Sequence, residues 1–386
     1  MAIKYPLLFS VDTIRRITIE TEKRLARMYL VDDKEWTLPL MRQLASNETH
    51  MFDFEQVIYA VKKVAKSRMI ELMNEYTLSL QHIPYIKVSF EYAVLFGQKG
   101  VLRQLLKHYQ DNENLIEWVT TYRLLLRVAE RELSYDQVIE EARRLSTYVK
   151  EPILMIRLKL LAADAYDKLG KTKETASLLE GVIEELYAVE AGYMKSVLAS
   201  RALLLVGNYF LYGKGDAEKA ENNYLAVVTT DATPDTVKVG AYHGLLLVMM
   251  CKGDRAQCAY YFGEAIQLAK ETGKHVYQEC LEREYYPFVR NILGETFSAE
   301  GVCPEERAHQ YIVRGEHEKA LHLIDELEIA GKGDSILTWY KGKATGNKEL
   351  LLSALAAFEE EHYAFLVSLI RQELDRLSAN SGGEVQ

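Results

Sequence analysis

Three short patterns in this chain carry the residue types of chemistry. Gly170–Lys171–Thr172 imitates the end of a phosphate-binding loop, where backbone N–H groups cradle phosphates and a lysine reaches their oxygens. The glycine needed five residues earlier is Ala165, and a helical pattern precedes the turn where a strand is required, so the segment reads as a hairpin turn. His317–Glu318 with His322 has the residue types of a zinc-protease helix. Its i,i+5 spacing points the two imidazoles to different faces, whereas i,i+4 would align them. Glu359 and Glu361 sit in a charge run of the kind that forms a solvated face. Cys251, Cys258, Cys280 and Cys303 include no CxxC pair, and the first two flank a hairpin turn. They read as buried, reduced thiols. No GxSxG, GxGxxG or calcium loop occurs. The expectation is a non-enzyme that needs no metal or cofactor.

Recognition chemistry is better represented. The chain has 25 tyrosines, many near helix ends or on the inward stripe of its later helices: Tyr209, Tyr212, Tyr242, Tyr260, Tyr261, Tyr285, Tyr286, Tyr340 and Tyr363. A tyrosine brings a rigid apolar body and a hydroxyl that needs a partner, which suits a peptide groove and equally suits a core between helices.

The elements that must position these side chains share one device, an amphipathic helix, a Gly-centred turn and a second amphipathic helix. It recurs at Leu160–Thr175, Leu204–Ala220, Leu246–Cys258 and Ala308–Ala320. One such pair cannot bury its apolar face alone, so the pairs must stack into a superhelix of the tetratricopeptide type. Only 7 prolines and 22 glycines punctuate 386 residues, and 48% of the residues are hydrophobic, which favours long helices and a large core. Apolar spacing near 3.6 runs through helices such as Thr172–Tyr187, Tyr193–Leu211, Pro234–Lys252, Val276–Leu293 and Ala364–Leu377. Gly294–Cys303 is the longest irregular stretch, and Ser378–Gln386 reads as a frayed tail. The fold class is all-α.

Net charge is −9, unevenly spread: residues 1–70 hold 12 Lys/Arg against 9 Asp/Glu, and the remainder hold 35 against 47. A mildly basic head on an acidic body suits a head that meets an anion. No apolar run approaches the roughly 18 residues of a membrane span, and the N-terminal apolar patch is too short and too soon charged for a secretory signal. The cytoplasm is the expected compartment. Val11–Val31, Leu38–Ala45 and Phe52–Val64 read as three short helices, with a polar break at Asp32–Trp36 and Thr37 as N-cap, the outline of a helix-turn-helix head. Such a head reads bases with Thr37, Arg42 and Gln43, while Arg24, Arg27, Lys62 and Lys63 meet phosphates. The expected organisation is a DNA-binding head over 1–66, a solenoid with the groove and dimerisation helices over 67–378, and a flexible tail over 379–386. Leu366, Leu369, Ile370 and Leu374 make an apolar stripe suited to closing a homodimer.

The order of Val57–Leu80, Phe90–Phe96, Val237–Gly244, Gln310–Leu327 and Leu355–Leu374 resembles the arbitrium communication peptide receptors (AimR) of Bacillus phages, from about Thr37 onward. The resemblance implies a homodimeric regulator of the lysis–lysogeny decision in the bacterial host, binding double-stranded operator DNA and a short signal peptide on the concave face. By position, Asn208 falls where the family holds the peptide backbone and Phe365 where it has an aromatic near the peptide. Thr236 stands where better-known members carry an Arg, and Tyr212, Leu247 and Tyr363 replace polar residues. Lys238, Tyr242 and Glu284 complete the expected groove, Lys238 as a substitute charge and Glu284 as a partner for a cationic peptide residue. The alternative is a related Rap-type quorum-sensing solenoid, whose head is a helical bundle that docks a protein without DNA contact.

Overall fold

The computed structural model describes residues 36–46, 53–230 and 232–381, and every element among them is helical. Among the described residues no helix is long and apolar enough to cross a membrane.

The hairpin device is built as its residues dictate. Gly170, Gly215, Gly253 and Gly315 all have left-handed backbones, with φ between 63° and 74°. At Gly253 the mechanism is complete. Its N–H donates to Met250 O and the Asp254 N–H to Met249 O, both at 3.0 Å, which ends one helix. The Asp254 carboxylate then accepts from the Gln257 N–H at 3.0 Å and starts Arg255–Glu271. Gly170 is doubly constrained, because a Cβ there would collide with the carbonyl oxygen of Glu361 as well as strain the backbone.

The chain divides into two compact units. The first comprises residues up to Lys168 together with Lys173–Leu205 and Ala226–Val237; the second comprises Leu169–Thr172, Val206–Leu225 and Lys238 onward. No boundary falls at residue 66, where the sequence suggested that a separate head ends. The reason is Phe54, which opens the helix Phe54–Val64 behind a capping box formed by Asp53 and Gln56. Its ring is buried against Tyr76, Tyr92 and Tyr193 at 5.7, 6.0 and 5.5 Å, so this helix belongs to the core of the first unit. The expected helix Val11–Val31 lies outside the described residues.

Two expected helices are interrupted. Tyr193–Leu211 is an α-helix only to Asn208, and Tyr209–Gly213 continues as a wider π turn. Val276–Leu293 resolves into His275–Cys280, a π turn Leu281–Tyr285, and Tyr286–Ile292. A π turn adds a residue without breaking the apolar pattern on either side, so periodicity reads straight through it. The C-terminal helix runs from Ala364 to Ser381, past the expected start of the tail.

The irregular stretch after Ile292 is pinned from one helix, Pro304–Val313. Gln310 accepts from the Phe297 N–H at 3.0 Å and donates to Glu295 O at 2.9 Å and to Asn291 Oδ1 at 2.6 Å. Buried Glu306 takes the Tyr340 hydroxyl at 2.7 Å, the Asn291 amide at 3.0 Å, and His309 Nδ1 at 3.3 Å. A buried polar network thus ties Asn291, Glu306, His309, Gln310 and Tyr340 together within the second unit.

Candidate functional site

All seven residues assigned to a groove fall within the second unit. Tyr212 sits in the π turn after Asn208 and meets two aromatics of the chain's last hairpin, Tyr363 and Phe365, each at 5.9 Å. The Phe365 contact is edge-on at 79°, the geometry a ring quadrupole favours. Phe365 itself is buried, whereas Tyr212 and Tyr363 are half-buried and keep ring surface accessible. Tyr212, Tyr363 and Phe365 together make one aromatic wall.

Asn208 is half-buried, and its Oδ1 accepts the Tyr224 hydroxyl at 2.9 Å. Tyr224 is wholly buried, its ring between Gly207 and Gly244, where a methyl on either glycine would strike it. The carboxamide oxygen is committed to the core, and the amide nitrogen is the part of Asn208 left to donate. Tyr224 was not singled out in the sequence; the trace it leaves there is the pair of glycines facing a large ring.

Lys238 and Tyr242 are four residues apart on Asp235–Lys252 and share its face. Tyr242 packs against the small core formed by Val239, Ala265, Ala269 and Leu281. Burial, then the hydrogen-bonded Glu264, pushes its phenol up to about 12. Glu284 lies in the second π turn as an exposed residue. Local desolvation first, then Glu306 and Glu305, hold its carboxyl above the ordinary carboxylate value. Its neighbour Tyr285 stacks on His243 at 4.4 Å, and His243 Nδ1 lies 2.6 Å from the Tyr277 hydroxyl. Both interrupted helices therefore carry an expected groove residue at the interruption. Thr236 and Leu247 are buried.

The head residues are less free than their sequence suggests. Thr37 caps Leu38–Ser46, its hydroxyl accepting from the Leu40 N–H at 3.4 Å. Met41 and Ala45 face the core while Arg42 and Gln43 are exposed. Arg42 forms an ion pair with Glu75 yet stays 61% exposed. Lys62 pairs with Asp235 at 2.9 Å, so it is engaged within the first unit; Lys63 is exposed, 6.0 Å from the Tyr59 ring. Arg24 and Arg27 lie outside the described residues.

The dimerisation stripe needs correction. Leu366, Leu369 and Ile370 are buried within their own chain and only Leu374 is half-buried, because this face of Ala364–Ser381 covers the chain's own preceding hairpin. Of the rejected patterns, His317 and His322 are both exposed, with His322 beside Glu326 at 3.4 Å. Cys251 departs from expectation in being exposed, whereas Cys258 is buried.

Comparison with known proteins agrees with this architecture. The chain is 22% identical over 342 residues to the AimR transcriptional regulator of Bacillus phage SPbeta, covering 85% of this chain and 86% of that one. It is 22% identical over 347 residues to the AimR transcriptional regulator of Bacillus phage phi3T, covering 86% and 88%. Among solved structures it superposes on phAimR with its ligand at a TM-score of 0.72 and 18% identity, over 85% of this chain and 98% of that one. A selenomethionine phAimR gives 0.68 and 17%, over 94% and 97%. The family model for AimR transcriptional regulator-like proteins, a family of regulators and not of enzymes, matches residues 69–376 without a break. By that match, which runs from the helix Met69–Ser79 into the last helix, the chain belongs to the AimR transcriptional regulator-like family.

Proposed function

We propose that this protein is a peptide-responsive transcription regulator of a phage lysis–lysogeny decision, acting in the cytoplasm of the bacterial host. A short signal peptide lies in the second unit, its backbone held by the Asn208 amide and its side chains against Tyr212, Tyr363, Phe365 and Tyr242. The N-terminal head, as part of a homodimer, binds operator DNA through Arg42 and Gln43. The observation that carries the reading is the aromatic wall beside a carboxamide whose oxygen is already fixed by Tyr224. A fixed amide donor next to ring faces suits an extended peptide, because one supplies register and the other apolar contact. With Thr236 in place of an Arg, recognition of the peptide leans on aromatic contact, and Glu284 and Lys238 set its charge preference.

The test is selection of DNA fragments by the purified protein, then anisotropy titration with and without candidate phage peptides. Sequence-selective binding that a peptide weakens supports the reading; absence of any preferred sequence at low salt sinks its DNA half. A second reading, docking of a host protein by the head in the manner of Rap-type regulators, is favoured by the ion pairs Arg42–Glu75 and Lys62–Asp235, which neutralise part of the basic surface. Peptide binding with no DNA selection at any salt decides for it.

A further inference from the structure

Deep in the first unit one carboxylate faces two guanidinium groups. Glu91, on Ile83–Leu95, has no exposed side-chain surface, and its Oε2 accepts both Arg157 Nε at 2.9 Å and the Tyr122 hydroxyl at 2.8 Å. Arg201, on Tyr193–Asn208, brings Nη2 to 3.2 Å from Glu91 Oε1 without hydrogen-bond alignment. Arg201 Nε and the Tyr193 hydroxyl are buried and unbonded in the same neighbourhood, where Tyr193 feels both Glu91 and Arg201. Asp164, seven residues after Arg157, is exposed and acts on both arginines through its charge alone, without an ion pair.

Two guanidinium groups thus share one buried carboxylate, and the buried Arg201 Nε is left without an acceptor. Such a centre is costly unless an anion completes it. Burial and Arg157 together lower the proton affinity of Arg201, as expected of a cation short of a partner. The Arg201 side chain is 26% exposed, so the centre opens to solvent along that side chain. We propose that Arg201, backed by Arg157 and flanked by Tyr193, is a receptor site for a carboxylate. The carboxylate's two oxygens match the planar guanidinium fork, with the Tyr193 hydroxyl as third donor. The source is either a free small carboxylic acid or the C-terminus of a peptide. The site lies wholly in the first unit.

The experiment is titration of the full-length chain, labelled with ¹⁵N-arginine, while monitoring the Arg201 Nε–Hε resonance assigned through side-chain-to-backbone correlations. The probes are acetate, N-acetyl-alanylglycine, its C-terminal amide, and chloride at matched ionic strength. A saturable shift of Arg201 with a carboxylate, and none with the amide or chloride, is the expected result. Response to both carboxylates assigns the site to carboxylates generally; response to the dipeptide acid alone assigns it to a peptide terminus. Tyr193→Phe removes only the hydroxyl and should weaken carboxylate binding about three- to tenfold; an unchanged affinity removes Tyr193 from the site. An Arg201 signal unmoved by either carboxylate, or moved equally by chloride, means the centre holds water only and overturns the proposal.

Discussion

Asn208 has two roles that different substitutions separate. Asn208→Ala removes the oxygen that accepts the buried Tyr224 hydroxyl, so the free protein should lose about 1–3 kcal/mol in denaturant melts. Asn208→Asp keeps an oxygen for Tyr224 but removes the amide donor. It should melt close to wild type and lose most of the stabilisation that a bound peptide gives, roughly 2.7 kcal/mol at a hundredfold excess over the dissociation constant. An Asp variant that retains the full peptide shift removes Asn208 from the groove. His309 gives a second residue-scale expectation. It is fully buried between Glu306 Oε2 and Lys343 Nζ, and burial first, then Lys343, lowers its pKa below the ordinary 6.5. A depressed histidine means that the unfolded chain binds the proton first. Its contribution is therefore complete above pH 6.5 and is lost as pH falls from there toward the lowered folded value, by at most about 1.4 kcal/mol per pH unit. Melts of wild type and His309→Gln at pH 7 and pH 5 check this, the variant showing the shallower loss.

At the scale of elements, the crossing around Tyr224 is close on both sides, from Gly207 and from Gly244. Gly244→Ala places a methyl against a ring that has no room to move, and should cost about 1–3 kcal/mol with the helices otherwise intact by circular dichroism. The basic residues of the N-terminal helices behave differently, since Arg42 and Lys62 are held by ion pairs. Lys62 is held by Asp235 at the start of the helix that carries Lys238 and Tyr242. Asp235→Asn should free one cation, tighten nonspecific DNA binding, and steepen its salt dependence by about one phosphate contact. Identical salt slopes for the two proteins would remove Lys62 from the DNA surface. The helices themselves were readable: Phe54, Val57, Ile58 and Val61 lie on the buried face that their spacing indicates. The π turns at Tyr209–Gly213 and Leu281–Tyr285 were not, because one extra residue per turn preserves an apolar pattern while rotating the helical residues beyond it.

For the whole molecule, a symmetric operator calls for two heads, so light scattering should report a dimer. With Leu366, Leu369 and Ile370 buried in their own chain, Leu369→Ala should act through stability, lowering the melting point while leaving the dimer mass unchanged. A monomeric, undestabilised Leu369→Ala would return that stripe to the interface. Arg42→Ala should weaken operator binding by about 1–3 kcal/mol more than binding to random DNA if Arg42 contacts a base, and equally on both if it meets only phosphate.

Composition, apolar period and Gly-centred turns were enough to determine an all-helical chain of stacked hairpins, because each hairpin depends on residues within about a turn of one another. Gly253 and Asp254 end and begin their helices without help from the rest of the molecule. What the tertiary structure alone decided is which side of each residue is in use. Asn208 turns its oxygen inward to Tyr224, the Leu366–Ile370 stripe faces its own chain, and Phe54 ties the supposed head to the solenoid core. Glu91 and Arg157 are 66 residues apart in sequence, Arg201 lies further on, and all three meet around one carboxylate. Such pairings depend on packing between distant segments, and a local pattern carries no record of the partner across the core.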